Sequence, residues 1–476
     1  MIDSLFRPRG IAVAGASRHP SKPGHQVLHN LLAAGYPGQI AVVHPAAQPI
    51  LGVPAYPDLD QVPTAVEMLI LCVPAAATPA MADAIVRRKR ERGDLAVVVS
   101  LSSGFAEADT DEGRKMQETL AAACRSVGVR LLGPNCLGVV DARNRLDTTF
   151  LTGNRREASG VSLLSQSGSI IAWVTRECQA LPHPIGLNKF VSVGNMADLS
   201  LAELVDFLGR DPSTRTIGLY LEAVAGTKAL LDAARRAAIR KPVVVLKSGR
   251  SPLGVRAAFR HIGAVSDDSP FDDDVARQYG LLPVRRVDEF VTTLATFDRL
   301  PLPLGNRVAV LTNSGGGGVY ALDALSSRDI EPARLSPASA AALRKLLPPF
   351  AVIGDPDGYV DSSAGVGPRQ TAQAVATLLR DPGVDAVVQL FVPTPFNTAE
   401  EMAQDLLRLL PGLRRNSLAK PLFPVLLGGN EVLPARRLLE EGGMMTFASP
   451  EEVAAALASM LRYTMARQRL AHALMR

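Results

Sequence analysis

A histidine in the stretch Ala257-Ala258-Phe259-Arg260-His261-Ile262-Gly263-Ala264-Val265 is the residue best placed to do chemistry. It follows an arginine, stands two positions before a glycine, and precedes the acidic run Ser266-Asp267-Asp268. Upstream, Val243-Val244-Val245-Leu246-Lys247-Ser248-Gly249-Arg250 carries a strand-then-loop signal, so the spacing predicts a glycine-flanked loop around His261. An imidazole there, largely neutral near pH 7, can act as a nucleophile or a proton carrier. A hydrogen-bonded surface histidine has the same residue type, so the choice depends on the rest of the chain.

Three other stretches suit anions. Val161-Ser162-Leu163-Leu164 reads as a strand feeding Ser165-Gln166-Ser167-Gly168-Ser169 and the apolar helix Ile170-Ile171-Ala172-Trp173-Val174. A Ser/Gly start leaves N–H groups unpaired at the positive end of a helix, a good anion site, although a plain serine cap looks the same. Ile217-Gly218-Leu219-Tyr220-Leu221-Glu222 is a strand ending in a carboxylate, which can orient a catalytic group or merely face solvent. Arg307-Val308-Ala309-Val310-Leu311-Thr312 runs into Asn313-Ser314-Gly315-Gly316-Gly317-Gly318. Glycine costs about 0.5–1 kcal/mol relative to alanine inside a helix or strand. The four glycines therefore predict close backbone approach to an anion, or a flexible turn. No Gly-Lys-Ser/Thr follows, so this is not a Walker A loop.

The elements that must position these groups alternate between strand and helix. Ile11–Ala14, Ile40–Val43, Met68–Val73, Leu95–Val99 and Val129–Leu132 read as strands, and a loop with Lys22 and Gly24 leads into a helical stretch at 26–32. Such alternation predicts a parallel, doubly wound sheet with ligands at the carboxyl ends of its strands. Those ends carry small or polar residues: Gly15-Ala16-Ser17, His44-Pro45, Val73-Pro74-Ala75 and Ser102-Ser103-Gly104-Phe105. Together they favour a nucleotide-like ligand. The spacing is not G-x-G-x-x-G, which disfavours a nicotinamide dehydrogenase.

At 476 residues the chain suits about three domains of roughly 150 residues. We place them at 1–150, 151–300 and 301–476, the last boundary falling at the proline-rich Leu300–Asn306. The fold class is α/β, with three Rossmann- or flavodoxin-like domains and mainly parallel sheets. A net charge of +5 comes from 51 basic and 46 acidic residues spread along the sequence, which gives no reason to expect nucleic acid. The densest basic run, Arg87-Arg88-Lys89-Arg90, reads as the polar end of a helix. Four cysteines form no CxxC or Cys/His cluster, so a reduced cytoplasmic protein without a metal site is expected. No apolar run is long enough to predict a membrane span.

The series Gly15-Ala16-Ser17, Val43-His44-Pro45, Val73-Pro74-Ala75, Ser103-Gly104-Phe105-Ala106-Glu107 and Gly133-Pro134-Asn135-Cys136-Leu137-Gly138 resembles the CoA-binding domain of the succinyl-CoA synthetase superfamily. Within it, the nearest pattern is the α subunit of NDP-forming acyl-CoA (acetyl-CoA) synthetases. The later segments are similar to the same family in its domain order: Ser165-Gln166-Ser167-Gly168, Tyr220-Leu221-Glu222, Leu246-Lys247-Ser248-Gly249-Arg250, His261-Ile262-Gly263-Ala264 and the Thr312-Asn313 glycine turn. The resemblance implies coenzyme A as ligand, contacted by Gly15, Ala16, Ser17, Lys22, His44, Pro45, Val73, Pro74, Ser103, Gly104, Phe105, Asn135 and Cys136. It implies phosphate at Ser167, Gly168, Gly263, Gly315, Gly316 and Gly317, with His261 carrying a phosphoryl group and Glu222 orienting its ring. Three places depart from the family pattern: His44 replaces an asparagine, Ile262 replaces a threonine, removing a hydroxyl beside the expected phosphate, and Asp355-Pro356-Asp357-Gly358-Tyr359-Val360-Asp361 differs from the commoner Asn-Pro-x-Asp.

The reaction so implied is acid + CoA + NTP ⇌ acyl-CoA + NDP + phosphate, through an acyl phosphate and a phosphohistidine, on a small carboxylic acid. No stretch resembles the ATP-grasp domain of single-chain members. The expected partner is therefore a separate ATP-grasp β subunit holding ATP/ADP with Mg2+, in an α2β2 assembly. The alternative is a non-catalytic CoA- or acyl-CoA-sensing scaffold.

Overall fold

The computed structural model describes residues 2–152, 158–182, 184–222, 227–262, 271–415 and 420–474, without the side chains of 259–262, 410–415 and 474. The chain gathers into two compact units. One comprises Met1–Cys178 with Ile185–Phe290, and the other Gln179–Pro184 with Val291–Arg476.

The first unit contains two sheets. β1 (Gly10–Ala14), β2 (Gln39–Val43), β3 (Ala55–Tyr56), β4 (Met68–Leu71), β5 (Val97–Ser100) and β6 (Arg130–Leu132) form the first, in the order β3-β2-β1-β4-β5-β6. Every pairing is parallel. β1, β4 and β5 are buried along their whole length, which is why they read as unbroken apolar runs and not as alternating ones. The strand order reverses beside β1, and that switch point is where an open parallel sheet leaves a crevice for a ligand.

The basic run 87–90 lies in helix Thr78–Arg92, but Arg88 is not on a polar surface. It is 1% exposed. Its guanidinium donates to the carbonyls of Leu59, Val62 and Thr64 and pairs with Asp94. The planar fork of five donors lets one buried arginine tie down a loop that would otherwise bury unpaired carbonyls.

The second sheet comprises β7 (Gly138–Asp141), β8 (Leu146–Asp147), β9 (Val161–Ser165), β10 (Lys189–Ser192), β11 (Thr216–Leu221), β12 (Val243–Lys247) and β13 (Leu282–Val284), in the order β13-β12-β11-β9-β10-β7-β8. β7 and β8 are antiparallel to their neighbours, and the other pairings are parallel. The chain thus leaves the first sheet at Leu132 and already pairs in the second from Gly138. Lys189 on β10 is buried and reaches two carboxylates, Asp141 of β7 at 3.3 Å and Asp211 at 3.0 Å. Burial opposes ionisation of Asp211, but hydrogen bonds from Thr214 and Ser213 and the Lys189 charge outweigh it and hold the carboxyl far below its usual range.

The second unit holds β14 (Arg307–Thr312), β15 (Glu331–Pro332), β16 (Val352–Ile353), β17 (Tyr359–Asp361), β18 (Ala386–Phe391) and β19 (Leu422–Leu426). Their order is β16-β17-β14-β18-β19, with β15 on β14, and only β16 is antiparallel. Its core joins Leu311, Val360, Val375, Phe391, Met402 and Leu439. The three expected α/β sheets are present. They are parallel except at the β7–β8 and β16 edges.

Candidate functional site

The candidate CoA-binding residues lie just past the carboxyl ends of the first sheet's strands. Gly15 ends β1 with φ +83°, and a Cβ there would stand 2.7 Å from the Cys72 carbonyl oxygen. Lys22 is extended and exposed, and directly precedes helix Pro23–Ala33, whose first turn has no side-chain cap. Ala16, directly after Gly15, is buried and Ser17 half-buried, its hydroxyl accepting from the His19 amide. His44 follows β2 and accepts from the Ala46 amide, with Pro45 exposed beside it. The Val73 carbonyl, just before Pro74, accepts from the Ser102 hydroxyl. Gly104, at φ +99°, donates its amide to Glu107 at 2.6 Å. Phe105 goes another way, packing into the core of this sheet.

A cavity of about 490 Å³ opens within this unit. From the first sheet it is lined by Ser102, Ser103, Asn135 and Cys136, and from the second by Gln166, Ser167, Gly168 and Ser169. Of the sequence-predicted residues, Ser103, Asn135, Cys136, Ser167 and Gly168 meet there. Gly15, Ala16, Ser17, Lys22, His44, Pro45, Val73, Pro74 and Gly104 occupy neighbouring strand ends and turns without lining it.

The lining residues not picked out from the sequence include Gln166 and Asn195. Gln166 Oε1 accepts the Glu222 amide at 2.6 Å, tying the start of helix Gly168–Ala180 to the end of β11. Asn195 donates to Glu107 at 2.5 Å and to Gln117 at 2.9 Å, and accepts from Asn135 at 3.2 Å. The one available signal was their place in polar turns after strands. Cys136 donates to the Ser100 carbonyl, and burial pushes the thiols of Cys136 and Cys72 up to about 12, so neither is a ready nucleophile.

The turn before helix Gly168–Ala180 is built from hydroxyls. Ser165 Oγ accepts the Ser167 amide at 3.0 Å and donates to the Ser167 carbonyl at 2.7 Å. Glu222 is 8% exposed just past β11, and its carbonyl accepts from Lys247 at 2.7 Å. Burial, reinforced by the Arg250 charge and opposed by Glu222, holds the Lys247 ammonium below its usual pKa. Burial likewise raises Tyr220 to about 12, and its hydroxyl lies 2.6 Å from that of Ser248.

His261 does not fall on a loop. Its backbone belongs to helix Pro252–Ile262. Ser251 Oγ caps that helix by accepting the Gly254 amide at 3.1 Å, proline follows the cap, and Arg256-Ala257-Ala258 are good helix formers. Those signals outweigh the following glycine. The helix lies close to the Ala106–Ala108 turn beyond the first sheet. Gly263 and the acidic run 266–268 lie outside the described residues.

The glycine run also differs from expectation. Gly315–Gly318 form the first turn of helix Gly315–Ser326. A Cβ at Gly318 would stand 2.6 Å from the Tyr359 ring and 2.7 Å from Thr312 Cγ2, so packing demands glycine there, whereas nothing lies within 4 Å at Gly316. The Ser314 side chain makes no cap bond to this helix. Among the described residues no group of three or more His, Cys, Asp or Glu could hold a metal ion, and no helix is long and apolar enough to cross a membrane.

Three family models match in succession: a CoA binding domain over residues 9–142, a succinyl-CoA ligase like flavodoxin domain over 158–297, and a Ligase-CoA domain over 308–473. ADP-forming acetate–CoA ligase II subunit alpha of Pyrococcus furiosus is 32% identical, over 97% of this chain and 98% of that one. ADP-forming acetate–CoA ligase I of Archaeoglobus fulgidus is 30% identical over 97% of this chain, which spans 64% of that longer protein. Among solved structures, the dinucleotide forming acetyl-coenzyme A synthetase 1 of Ca. Korarchaeum cryptofilum, in complex with phosphate and ADP, superposes with a TM-score of 0.89 at 31% identity, covering 100% of this chain and 99% of that one. The chain belongs to the α subunits of the NDP-forming acyl-CoA synthetases, within the succinyl-CoA synthetase superfamily.

Proposed function

We propose that the chain is an acid–CoA ligase subunit interconverting acyl-CoA, NDP and phosphate with free acid, CoA and NTP. The observation that carries this reading is the single cavity in which Ser103, Asn135 and Cys136 of the CoA-binding sheet meet Ser167 and Gly168 at a helix N-terminus. The strand ends from Gly15 to Gly104 hold the nucleotide part of CoA, and Phe105 acts from the core behind them. The thioester then points toward the Ser167–Gly168 amides, which hold phosphate.

A phosphate oxygen attacks the thioester carbonyl, the C–S bond breaks, and the thiol leaves with a proton. The imidazole of His261 attacks phosphorus in the acyl phosphate, the P–O bond to the acyl group breaks, and carboxylate is released. The phosphohistidine then transfers its phosphoryl group to NDP. Glu222 steadies the ring and stabilises its cationic form, and Lys247 and Gln166 fix the backbone that carries Glu222. The Gly315–Gly317 turn provides a second phosphate-holding helix start. The nucleotide and its Mg2+ belong to an ATP-grasp β subunit, in an α2β2 assembly in the cytoplasm. The near end-to-end match with a protein named as a subunit alpha supports a partner.

The test is incorporation of labelled phosphate by the chain, with magnesium and a panel of acyl-CoAs, beside His261→Ala. Acid-labile label that requires an acyl-CoA and is lost in the variant is the expected result. Undiminished label in His261→Ala removes the histidine from the mechanism. Absence of label in spite of CoA binding, with the partner present, favours a CoA-sensing scaffold.

A further inference from the structure

We infer that Glu107 is a positioning residue for the proposed reaction, setting which way the side-chain amides of Asn195 and Asn135 present their donors and acceptors to the cavity. This rests on the reading that CoA binds there.

Glu107 is the middle residue of the Ala106–Ala108 turn beyond β5 and takes no part in the phosphoryl-transfer steps. Its Oε1 accepts the Gly104 amide at 2.6 Å and the Phe105 amide at 3.2 Å, which fixes the glycine turn after that strand. Its Oε2 accepts from Asn195 Nδ2 at 2.5 Å. Asn195 belongs to the turn after β10, in the second sheet. Backbone bonds already draw that turn onto the chain leaving β6. The Asn195 amide donates to the Pro134 carbonyl at 2.9 Å, and the Ala197 amide to the Gly133 carbonyl at 3.0 Å.

The two ends of a side-chain amide have nearly the same shape but opposite polarity, so packing alone does not choose its direction. A carboxylate chooses it, because an ionised carboxylate only accepts. Facing Glu107, Asn195 has to aim its NH2 group there, and Gln117 on helix Asp111–Ser126 accepts from the same group at 2.9 Å. Asn195 Oδ1 is then turned to accept, and Asn135 donates to it at 3.2 Å. Asn135 and Asn195 both line the cavity. One carboxylate thus orients two lining amides in series. Helix Pro252–Ile262, which carries the backbone of His261, lies close to the same turn.

The test is calorimetric titration of the full chain with CoA, well below the melting midpoint, on wild type, Glu107→Gln, Asn195→Asp and the double variant. In Glu107→Gln two NH2 groups face each other, and in Asn195→Asp two carboxylates do. Each single change should weaken CoA binding roughly ten- to hundredfold, the range of a lost hydrogen bond to a charged group. The double variant restores the bond with its direction reversed and keeps an acceptor toward Asn135, so it should bind within about threefold of wild type. Charge alone predicts the opposite for Glu107→Gln, tighter binding of anionic CoA. General structural damage predicts that the two lesions add. Glutamine keeps the size of the half-buried Glu107, so the fold should survive. Single variants within about threefold of wild type, or a double variant no better than the weaker single, overturn the inference. A wild type that binds CoA but takes up no labelled phosphate with the partner present overturns the proposed function alone. Failure of the wild type to bind CoA overturns both.

Discussion

The second and third sheets use one plan twice. In each, a strand enters a turn of the form Ser/Thr–Gln/Asn–Ser–Gly: Ser165-Gln166-Ser167-Gly168 after β9 and Thr312-Asn313-Ser314-Gly315 after β14. Thr312 Oγ1 accepts the Ser314 amide and donates to the Ser314 carbonyl, both at 2.9 Å, as Ser165 does for Ser167. The amide side chain then grips the end of the adjacent strand. Gln166 takes the Glu222 amide beyond β11, and Asn313 takes the Val392 amide beyond β18 at 2.9 Å. Strand order agrees as well, β10-β9-β11-β12 against β17-β14-β18-β19. Each copy even reaches its third strand through Arg-Asp-Pro, at Arg210–Pro212 and Arg380–Pro382. What differs is the titratable chemistry. Where the first copy has Glu222, the second has Val392. The backbone frame is duplicated, but the carboxylate after the third strand is found in one copy only, the other carrying Asp361 beside Gly315 instead.

The comparison breaks first at Glu222. Glu222→Gln keeps the size of the side chain and should slow phosphate labelling roughly a hundredfold or more, in the range of a lost acid–base or orienting group. Labelling within threefold of wild type would mean that the copies do not differ in the way described.

The glycines of the second copy come next. Gly318→Ala should destabilise the protein by about 1–3 kcal/mol through overpacking against Tyr359 and Thr312, lowering the urea midpoint. Gly316→Ala meets open space and should be neutral or stabilising by about 0.4–1 kcal/mol.

The smallest contrast lies in the paired aspartates. Asp211 and Asp381 are both held below the ordinary carboxylate range: burial opposes this in each, and hydrogen bonds prevail, with the Lys189 charge assisting at Asp211. A depressed folded pKa adds stability that is complete above the unfolded value of about 4 and fades as pH falls through the folded one. Urea midpoints between pH 5 and 2 should therefore drop more steeply for wild type than for Asp211→Asn, and Asp381→Asn should flatten the profile less.

Much of this was legible in the sequence because buried parallel strands are apolar runs and their carboxyl ends carry Gly, Ser and Asn. Ser103, Ser167 and Gly168, which line the cavity, were singled out that way, and Asn135 and Cys136 through the family resemblance. Local pattern misled where packing or capping decided. His261 looked loop-bound because Gly263 follows it, while Ser251 and Pro252 start a helix nine residues earlier. The glycine run looked unfit for a helix until Tyr359 came against it from β17. Arg88 gave no sign of being buried, since its acceptors are carbonyls more than twenty residues away. Gln166 and Asn195 act through hydrogen bonds to distant segments, which spacing along the chain does not encode.

The strand hand-over between the sheets limits how this chain can be divided. A cut at residue 150 would give the amino-terminal piece the hairpin β7–β8 with no sheet to join. The other piece would keep β10 as a raw edge, open to pairing with any extended chain. It would also strip Lys189 of Asp141. A cut between Leu132 and Gly138 leaves both sheets whole but parts Asn135 and Cys136 from one of their neighbours. The cavity therefore sits on a seam where the polypeptide cannot be opened without loss.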